Sequence, residues 1–181
     1  MAVAVVPYQS AWPVQASQVI VELEAALVGV GVESIEHVGS TSVPGLAAKP
    51  VLDIDVIVTR EHIGAAIDAL TEIGYRHVGD RGIPGREALE APDEDPRRHI
   101  YVCESGTLHV RNHLAARDIL RDRSDLREEY AAVKLALAAD PVMDIDTYIA
   151  RKSAVLQRVL VESGLSQNER LQILRANDPD A

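Results

Sequence analysis

The run from Val51 to Val58 constrains the fold of this chain more than any other segment. It is apolar and rich in β-branched residues, no glycine or proline interrupts it, and its only charged positions are Asp53 and Asp55. These properties predict a β-strand. Because side chains alternate along a strand, the two aspartates share one face while Leu52 and Ile54 lie on the other. The strand therefore presents two carboxylates side by side.

Two neighbouring like charges in an apolar strand cost free energy unless a cation compensates them or the strand faces solvent. Carboxylate oxygens at this spacing suit Mg²⁺ or Mn²⁺, which retain waters and bridge to substrate phosphates. An isolated pair of this kind more often marks an exposed strand face whose aspartates only raise solubility. The sequence before the strand shifts the balance toward the metal interpretation.

A turn-forming segment, residues 39–45, separates the aspartate strand from a short predicted strand at residues 34–38. Gly39 has no side chain, so a phosphate can approach the backbone closely at this point. Ser40 adds a hydroxyl and a backbone N–H, both of which can donate to an anion. The turn and the aspartate pair together predict a site for a metal ion and a phosphate group.

The periodicity of the remaining sequence predicts an α+β protein whose C-terminal third is helical. Predicted strands cover residues 34–38, 51–58, 75–78 and 99–104, and predicted helices cover 13–30, 60–73, 112–122, 125–138, 144–163 and a segment from 166 onward. The stretch from Gly79 to Pro96 is rich in glycine, proline and charge, and we interpret it as a functional loop or flap.

The end of the chain is predicted to form one more helix and a frayed tail. Ser166 and Glu169 have the spacing of a capping box, in which each side chain bonds the backbone N–H of the other residue. We expect the main domain to cover residues 1–165 and the C-terminal helix and tail to cover residues 166–181, with the tail beginning at Asn177.

The segment from His37 to Pro50, together with Asp53 and Asp55, resembles the GrpB family, a group of small proteins with a nucleotidyltransferase fold. The likeness continues nearly to Val161. Its further matches are Tyr8 to Trp12, Arg98 to Val102, Asn112 to Leu114, Arg117, Asp118, Leu120, Arg121, Tyr130, Lys134, Tyr148 and Lys152. The resemblance implies a nucleotidyltransferase-like mixed β-sheet flanked by helices.

The resemblance also implies roles for individual residues. Asp53 and Asp55 would be the metal ligands, for Mg²⁺ or Mn²⁺, and Gly39 and Ser40 would form the turn that faces phosphate. The expected nucleotide- and phosphate-binding residues are Gly39, Ser40, Thr41, Ser42, Lys49, Arg98, Arg117 and Lys152.

The sequence departs from active nucleotidyltransferases in lacking a clear third carboxylate, which those enzymes take from a later strand. The corresponding strand offers His99 and Tyr101 instead, and the nearest acidic residues are Glu87 and Glu104. His99 can complete the catalytic group with the two aspartates as a metal ligand or general base, or it can be a half-buried strand histidine bonded to the backbone. Both interpretations stay open.

Two further histidines, His109 and His113, are interpreted as loop or helix-surface residues without a ligand role. Cys103 is the only cysteine, so the chain has no internal disulfide and is consistent with a reducing compartment. Neither a signal-like start nor an apolar run of membrane-spanning length is present in the sequence. We expect a cytoplasmic protein.

The formal net charge of −10 argues against an extended DNA- or RNA-binding surface, which needs clustered lysine and arginine. A small anionic ligand remains compatible with an acidic exterior. The leading hypothesis is a metal-dependent transferase that moves a nucleotidyl group from a nucleoside triphosphate to an unknown acceptor.

Two other functions stay open at this point. The first is a non-catalytic module that binds a nucleotide or phosphorylated metabolite, an interpretation that draws on the missing carboxylate and on family members fused to dephospho-coenzyme A kinase. The second is a metal-dependent hydrolase in which His99 joins the aspartates.

Overall fold

A mixed sheet of five strands organises residues 4–177, the part of the chain that the computed structural model describes. The strands are β1 (Val32–Val38), β2 (Leu52–Val58), β3 (Arg76–Gly79), β4 (Arg86–Glu90) and β5 (Arg98–Glu104). The helices are α1 (Trp12–Ala26), α2 (Ile63–Glu72), α3 (Leu108–Asp122), α4 (Ser124–Ala138), α5 (Ile145–Leu160) and α6 (Gln167–Asn177). Two short 3₁₀ turns, Ser40–Ser42 and Arg60–His62, follow β1 and β2.

The strand order is β1-β2-β5-β4-β3, which places the aspartate strand next to β5. The β2–β5 pair is parallel, whereas β1–β2, β5–β4 and β4–β3 are antiparallel. In the β2–β5 register Asp53 lies opposite His99 and Asp55 lies opposite Tyr101. All four side chains therefore project from the same face of the sheet.

The two faces of the sheet differ in chemistry. One face packs Ile54, Val56, Ile100 and Val102 against α1 and α2 in the largest apolar cluster of the described residues. Each such fully buried side chain stabilises the fold by about 1.5–3 kcal/mol. The other face carries the two aspartates, and helices α3, α4 and α5 border the cavities above it. Because the first face supplies the apolar core, the second can hold charged groups.

The predicted fold class is confirmed, including the helical C-terminal third and the strand at residues 51–58. The interpretation of residues 79–96 as one loop is wrong, because β4 lies within it and pairs with both β3 and β5. This strand has only two buried residues, Ala88 and Leu89, and its charged neighbours hide the pattern. Helix α3 also begins at Leu108 rather than at residue 112.

The last helix begins as the capping box predicts. The Ser166 N–H donates to Oε2 of Glu169 at 2.8 Å, and the Glu169 N–H donates to Oγ of Ser166 at 3.3 Å. Ile173 of α6 packs against Leu160 and Leu165. The predicted tail lies outside the described residues except for Asn177. No helix within residues 4–177 is long and apolar enough to span a bilayer.

Candidate functional site

The turn after β1 brings Gly39 directly against the carboxylate of Asp53. Gly39 has φ +69° and ψ −171°, a conformation that is essentially restricted to glycine. A Cβ added to Gly39 would lie 2.4 Å from Oδ2 of Asp53. Glycine is thus required at this position to make room for the Asp53 carboxylate, and not only to let a phosphate approach the backbone. The sequence did not reveal this reason.

Asp53 is the carboxylate that faces the cavities of this site. Its side chain is 30% exposed, and its Oδ1 lies 3.1 Å from Nδ1 of His99, whose side chain is 50% exposed. Burial raises the pKa of Asp53, but the hydrogen bond and charge of His99, with the charges of His113 and Lys152, outweigh burial and lower the pKa overall. The carboxylate is therefore ionised at neutral pH.

Asp55 is fully buried, with 0% exposure, and its Oδ2 lies 2.9 Å from Nδ1 of His113 on α3. Burial lowers the pKa of His113, yet the charge of Asp55, the hydrogen bond between them and the charge of Asp53 raise it overall. The two side chains form a hydrogen-bonded pair, and removing either one leaves the other without this partner. The other oxygen of Asp55, Oδ1, has no hydrogen-bond partner among residues 4–177.

Lysine side chains surround a cavity of about 230 Å³ on one side of Asp53. Its lining includes Lys49, Lys134 and Lys152, which are all the lysines in the chain. Lys134 on α4 is 2% exposed and its Nζ donates to the carbonyl of Ala47 at 2.5 Å. The cavity thus concentrates positive charge beside a carboxylate in an otherwise acidic protein.

Two of these ammonium groups lie near the aromatic ring of Tyr148. Nζ of Lys49 is 5.8 Å and Nζ of Lys152 is 5.6 Å from the ring centroid, within the range of a cation–π contact. Neither ammonium has a hydrogen-bonding partner in the described part of the chain. Burial lowers the pKa of both, and the charge of Lys152 lowers the pKa of Lys49 further. An anion in the cavity would relieve this repulsion.

A second cavity, of about 200 Å³, lies on the other side of Asp53 and is also lined by Ser40, Lys152 and Arg117. The guanidinium of Arg117 is already engaged: Nη1 donates to Oε2 of Glu36 at 2.7 Å, and Nε donates to Oδ1 of Asp118 at 2.7 Å. Arg117 therefore has less capacity for a phosphate than the lysines have. Asp53 and Ser40 line both cavities.

Three of the expected phosphate-binding residues have other partners. The Ser42 hydroxyl donates to the Gly39 carbonyl at 2.7 Å, and the Thr41 hydroxyl donates to the Val51 carbonyl at 3.3 Å, so both stabilise the turn. Arg98 projects from the opposite sheet face, where it bonds both carboxylate oxygens of Asp93 and the Tyr75 hydroxyl. The structure does not bring Arg98 together with Asp53, because neighbouring positions on a strand point to opposite faces.

Strand β5 places no carboxylate opposite the aspartate pair, whereas Glu36 of β1 lies opposite Asp55 and is engaged by Arg117 at 2.7 Å. Glu87 bonds His77 and Glu104 bonds Arg60, both away from the pair. Tyr101 takes the place opposite Asp55 and lines both cavities. Burial, followed by the charge of Asp53, raises the pKa of the Tyr101 phenol well above its ordinary range.

His113, Lys134 and Tyr101 are the site residues whose part sequence reasoning missed. Sequence reasoning placed His109 and His113 on a loop or a helix surface without a ligand role; both lie on α3, where His113 contacts Asp55 across 58 positions of sequence. The available signal was the i, i+4 spacing of the two histidines, which places both on one face of a helix. Their rings lie 3.9 Å apart between centroids.

Lys134 makes stability depend on pH in a defined direction. Burial, then the charges of Lys152 and Lys49, lowers its pKa from 10.5 to about 7. Between these values the unfolded chain holds the proton more tightly, so stability rises with pH and is lost as the pH falls toward 7. The quantity to compare is the free energy of unfolding of the wild type minus that of Lys134→Met. We expect this difference to be about 1–3 kcal/mol larger at about pH 9 than at about pH 6.

Denaturant titrations of both proteins at the two pH values measure this difference, in which titrating groups remote from Lys134 cancel. Parallel pH profiles for the two proteins would contradict a depressed lysine pKa. Methionine also leaves the Ala47 carbonyl without its donor, which lowers the stability of the variant at both pH values.

Comparison with known proteins identifies relatives over most of the chain. The family model described as GrpB protein matches residues 2–162. A UPF0157 protein of Streptomyces coelicolor is 36% identical over 138 residues, which are 74% of this chain and 70% of the relative. Another, of Bacillus subtilis, is 34% identical over 125 residues, 68% of this chain but only 36% of that longer protein.

Two solved structures extend the comparison. The crystal structure of the conserved protein GrpB from Enterococcus faecalis has a TM-score of 0.77 at 32% identity, covering 88% of this chain and 96% of that one. A chain of the GLD-2/RNP-8 complex has a TM-score of 0.55 at 14% identity, covering 97% and 67%. The second likeness concerns the fold alone, and the nucleotidyltransferase-like α+β fold predicted from the sequence is confirmed.

Proposed function

Because the chain belongs to the GrpB family, we propose that it is a metal-dependent nucleotidyltransferase that takes a nucleoside triphosphate or a related phosphorylated metabolite and transfers a nucleotidyl group to an acceptor that is still unknown. The observation that carries the proposal is the position of Asp53. It lies between two cavities, and one of them is lined by every lysine of the chain. An arrangement of this kind fits a phosphate chain held beside a metal-binding carboxylate.

The lysine cavity is the proposed site of the phosphate chain. Lysine binds phosphate as a point charge, and Lys49 and Lys152 keep their donors free of other partners among the described residues. Ser40 borders the same cavity and can donate its hydroxyl. The remaining cationic side chains of the protein are arginines, most of them in ion pairs at the surface, so the lysines give this cavity a distinct chemistry.

The donor set fits a divalent cation in part. Asp53 would hold Mg²⁺ or Mn²⁺ with the oxygen that faces the cavity, and Asp55 would join it only if His113 gave up its bond to Oδ2. When bound, the cation would neutralise charge that develops on the phosphates during transfer.

His99 is the proposed general base. In nucleotidyl transfer the acceptor oxygen attacks the α-phosphorus, the bond to pyrophosphate breaks, and the acceptor proton needs a base. His99 borders the lysine cavity and is oriented by Asp53 at 3.1 Å, an arrangement that resembles other carboxylate-oriented histidine bases. His99 lies on β5, the strand on which the third carboxylate was expected.

A second candidate function is binding without turnover. The lack of a carboxylate opposite Asp53 on β5, and the hydrogen bond that engages Asp55 with His113, favour a module that binds a phosphorylated ligand. In either case the proposal locates the protein in the cytoplasm, where nucleoside triphosphates and Mg²⁺ are available.

Amine labelling combined with mass spectrometry tests the proposed site directly, because every lysine side chain lies around one cavity. We expect a nucleoside triphosphate with Mg²⁺ to slow acetylation of Lys49 and Lys152 by about tenfold at ten times its Kd. The unphosphorylated nucleoside serves as the control and should give no protection. If none of the common nucleoside triphosphates protects either lysine, the proposal is wrong.

Turnover is measured separately, as pyrophosphate release with Mg²⁺ or Mn²⁺, labelled nucleotides and cell extract as the source of acceptor. Release that depends on Asp53 supports the transferase. If nucleotide protects the lysines but no pyrophosphate is released, with or without metal, the transferase is wrong and the binding module is supported.

A further inference from the structure

A cluster formed by Asp55, Cys103 and His109 lies on the sheet face under α3. One carboxylate oxygen of Asp55, Sγ of Cys103 and one ring nitrogen of His109 all lie within 4.8 Å of one another. Asp55 and Cys103 come from the paired strands β2 and β5, and α3 brings His109 over them. Asp53 is not a member of this cluster, so the phosphate chemistry proposed above does not account for it.

Two members of the cluster carry buried polar atoms that lack partners. Oδ1 of Asp55 and Nε2 of His109 have no hydrogen-bonding neighbour anywhere in residues 4–177. Asp55 is moreover 0% exposed, so water does not substitute for the missing partner at the surface. A buried polar atom without a partner costs about 1–3 kcal/mol, and a ligand that bonded both atoms would remove this cost.

We propose that Asp55, Cys103 and His109 bind a transition-metal ion of the Zn²⁺ class, at a position separate from the nucleotide-bound cation at Asp53. A thiolate and an imidazole are ligands that Zn²⁺ accepts readily and that Mg²⁺ avoids. Each of the three residues supplies one ligand atom, which leaves one position of a tetrahedral ion open. The two oxygens of Asp55 allow it to serve this ion and still contact His113.

The three ligand atoms would have to approach one another to close around an ion. With metal–ligand bonds of about 2.0–2.3 Å, the ligand atoms of tetrahedral zinc lie about 3.3–3.8 Å apart, so atoms that lie within 4.8 Å of one another would move closer by up to about 1–1.5 Å. Of the three residues, His109 lines a cavity of about 370 Å³, so this ligand can be approached from that cavity, whereas Asp55 and Cys103 are buried.

Binding would change the charge of the cluster. The ion displaces the thiol proton of Cys103 to solvent, and the thiolate and the Asp55 carboxylate together balance its two positive charges. The ion would then tie α3 to β2 and β5 and fix the orientation of Asp55 beside His113. Because it binds the folded chain preferentially, it should also raise the melting temperature.

The experiment uses tag-free protein, freed of metal by chelation and then titrated with Zn²⁺ or Co²⁺ alone, without nucleotide. We expect one ion per chain, a higher Tm, and a Co²⁺ complex with thiolate-to-cobalt charge transfer and the intense visible bands of tetrahedral coordination. Cys103→Ser should abolish the charge-transfer band, and His109→Gln should weaken binding at least about a hundredfold.

His77→Gln is the matched control, because this histidine lies on β3 and bonds Glu87; it should leave the Co²⁺ spectrum unchanged. If Cys103→Ser folds poorly, the wild-type spectrum and His109→Gln still decide the question. A wild-type Co²⁺ complex without thiolate charge transfer, or equal Zn²⁺ affinity in wild type and His109→Gln, overturns the proposal. Asp53→Asn should retain this ion, so failure of the nucleotide proposal remains distinguishable.

Discussion

The Asp53→Asn variant is expected to keep its fold and to lose Mg²⁺-dependent nucleotide binding by at least about a hundredfold, together with any pyrophosphate release. Asparagine has the shape of aspartate but lacks the charge that a divalent cation requires. The side chain is 30% exposed and its hydrogen-bonding neighbour is His99, so the stability cost should stay near about 1 kcal/mol. Calorimetric titration with nucleotide, with and without Mg²⁺, measures the change.

Asp68→Asn provides the matched control, since it makes the same charge change at an exposed position of α2, on the opposite side of the sheet. It should bind nucleotide as the wild type does. Equal binding by wild type and Asp53→Asn would remove Asp53 from the proposed site. Equal loss in both variants would assign the effect to net charge instead.

The Gly39→Ala variant is expected to lose both stability and nucleotide binding. Its backbone conformation costs a residue with a Cβ about 1–3 kcal/mol, and the new methyl group would lie 2.4 Å from Oδ2 of Asp53. For a chain of this size the strain alone corresponds to a fall in Tm of about 2–12 °C. The collision adds to this cost and pushes the Asp53 carboxylate away from its place between the cavities. Thermal unfolding and nucleotide titration measure the two effects.

Gly29→Ala separates backbone strain from the collision, because Gly29 also has a positive φ, +88°, but no atom within 4 Å of an added Cβ. It should lose stability and keep nucleotide binding. In an Asp53→Ala background, part of the stability cost of Gly39→Ala should disappear, since the colliding oxygen is absent. A cost that is unchanged in that background would contradict the contact between Gly39 and Asp53.

Local patterns were sufficient for much of the fold. Alternation along residues 51–58 predicted that Asp53 and Asp55 share one sheet face, as they do in the register with β5. The capping box at Ser166 was likewise predictable. By contrast, β4 escaped prediction because a five-residue strand with only two buried positions carries little periodic signal.

Only part of the candidate site could be predicted from local sequence patterns. The Gly39–Ser40 turn and the aspartates lie close in sequence, so their association could be inferred. Arg98 was expected to bind phosphate, yet its guanidinium bonds Asp93 on the other face. The site roles of His113 and Lys134 were not predicted, because each contacts a residue more than 50 positions away in the sequence.

The strand, the paired carboxylates and the glycine turn could be read from the chain alone, because they depend on alternation and backbone freedom over a few residues. Three features emerged only from the packed fold: the bond between Asp55 and His113, the cavity lined by three lysines from separate segments, and the proximity of Cys103 and His109 to Asp55. The physical reason is that charge compensation acts through space. Its partners are selected by how helices pack on the sheet, and no local pattern records that packing.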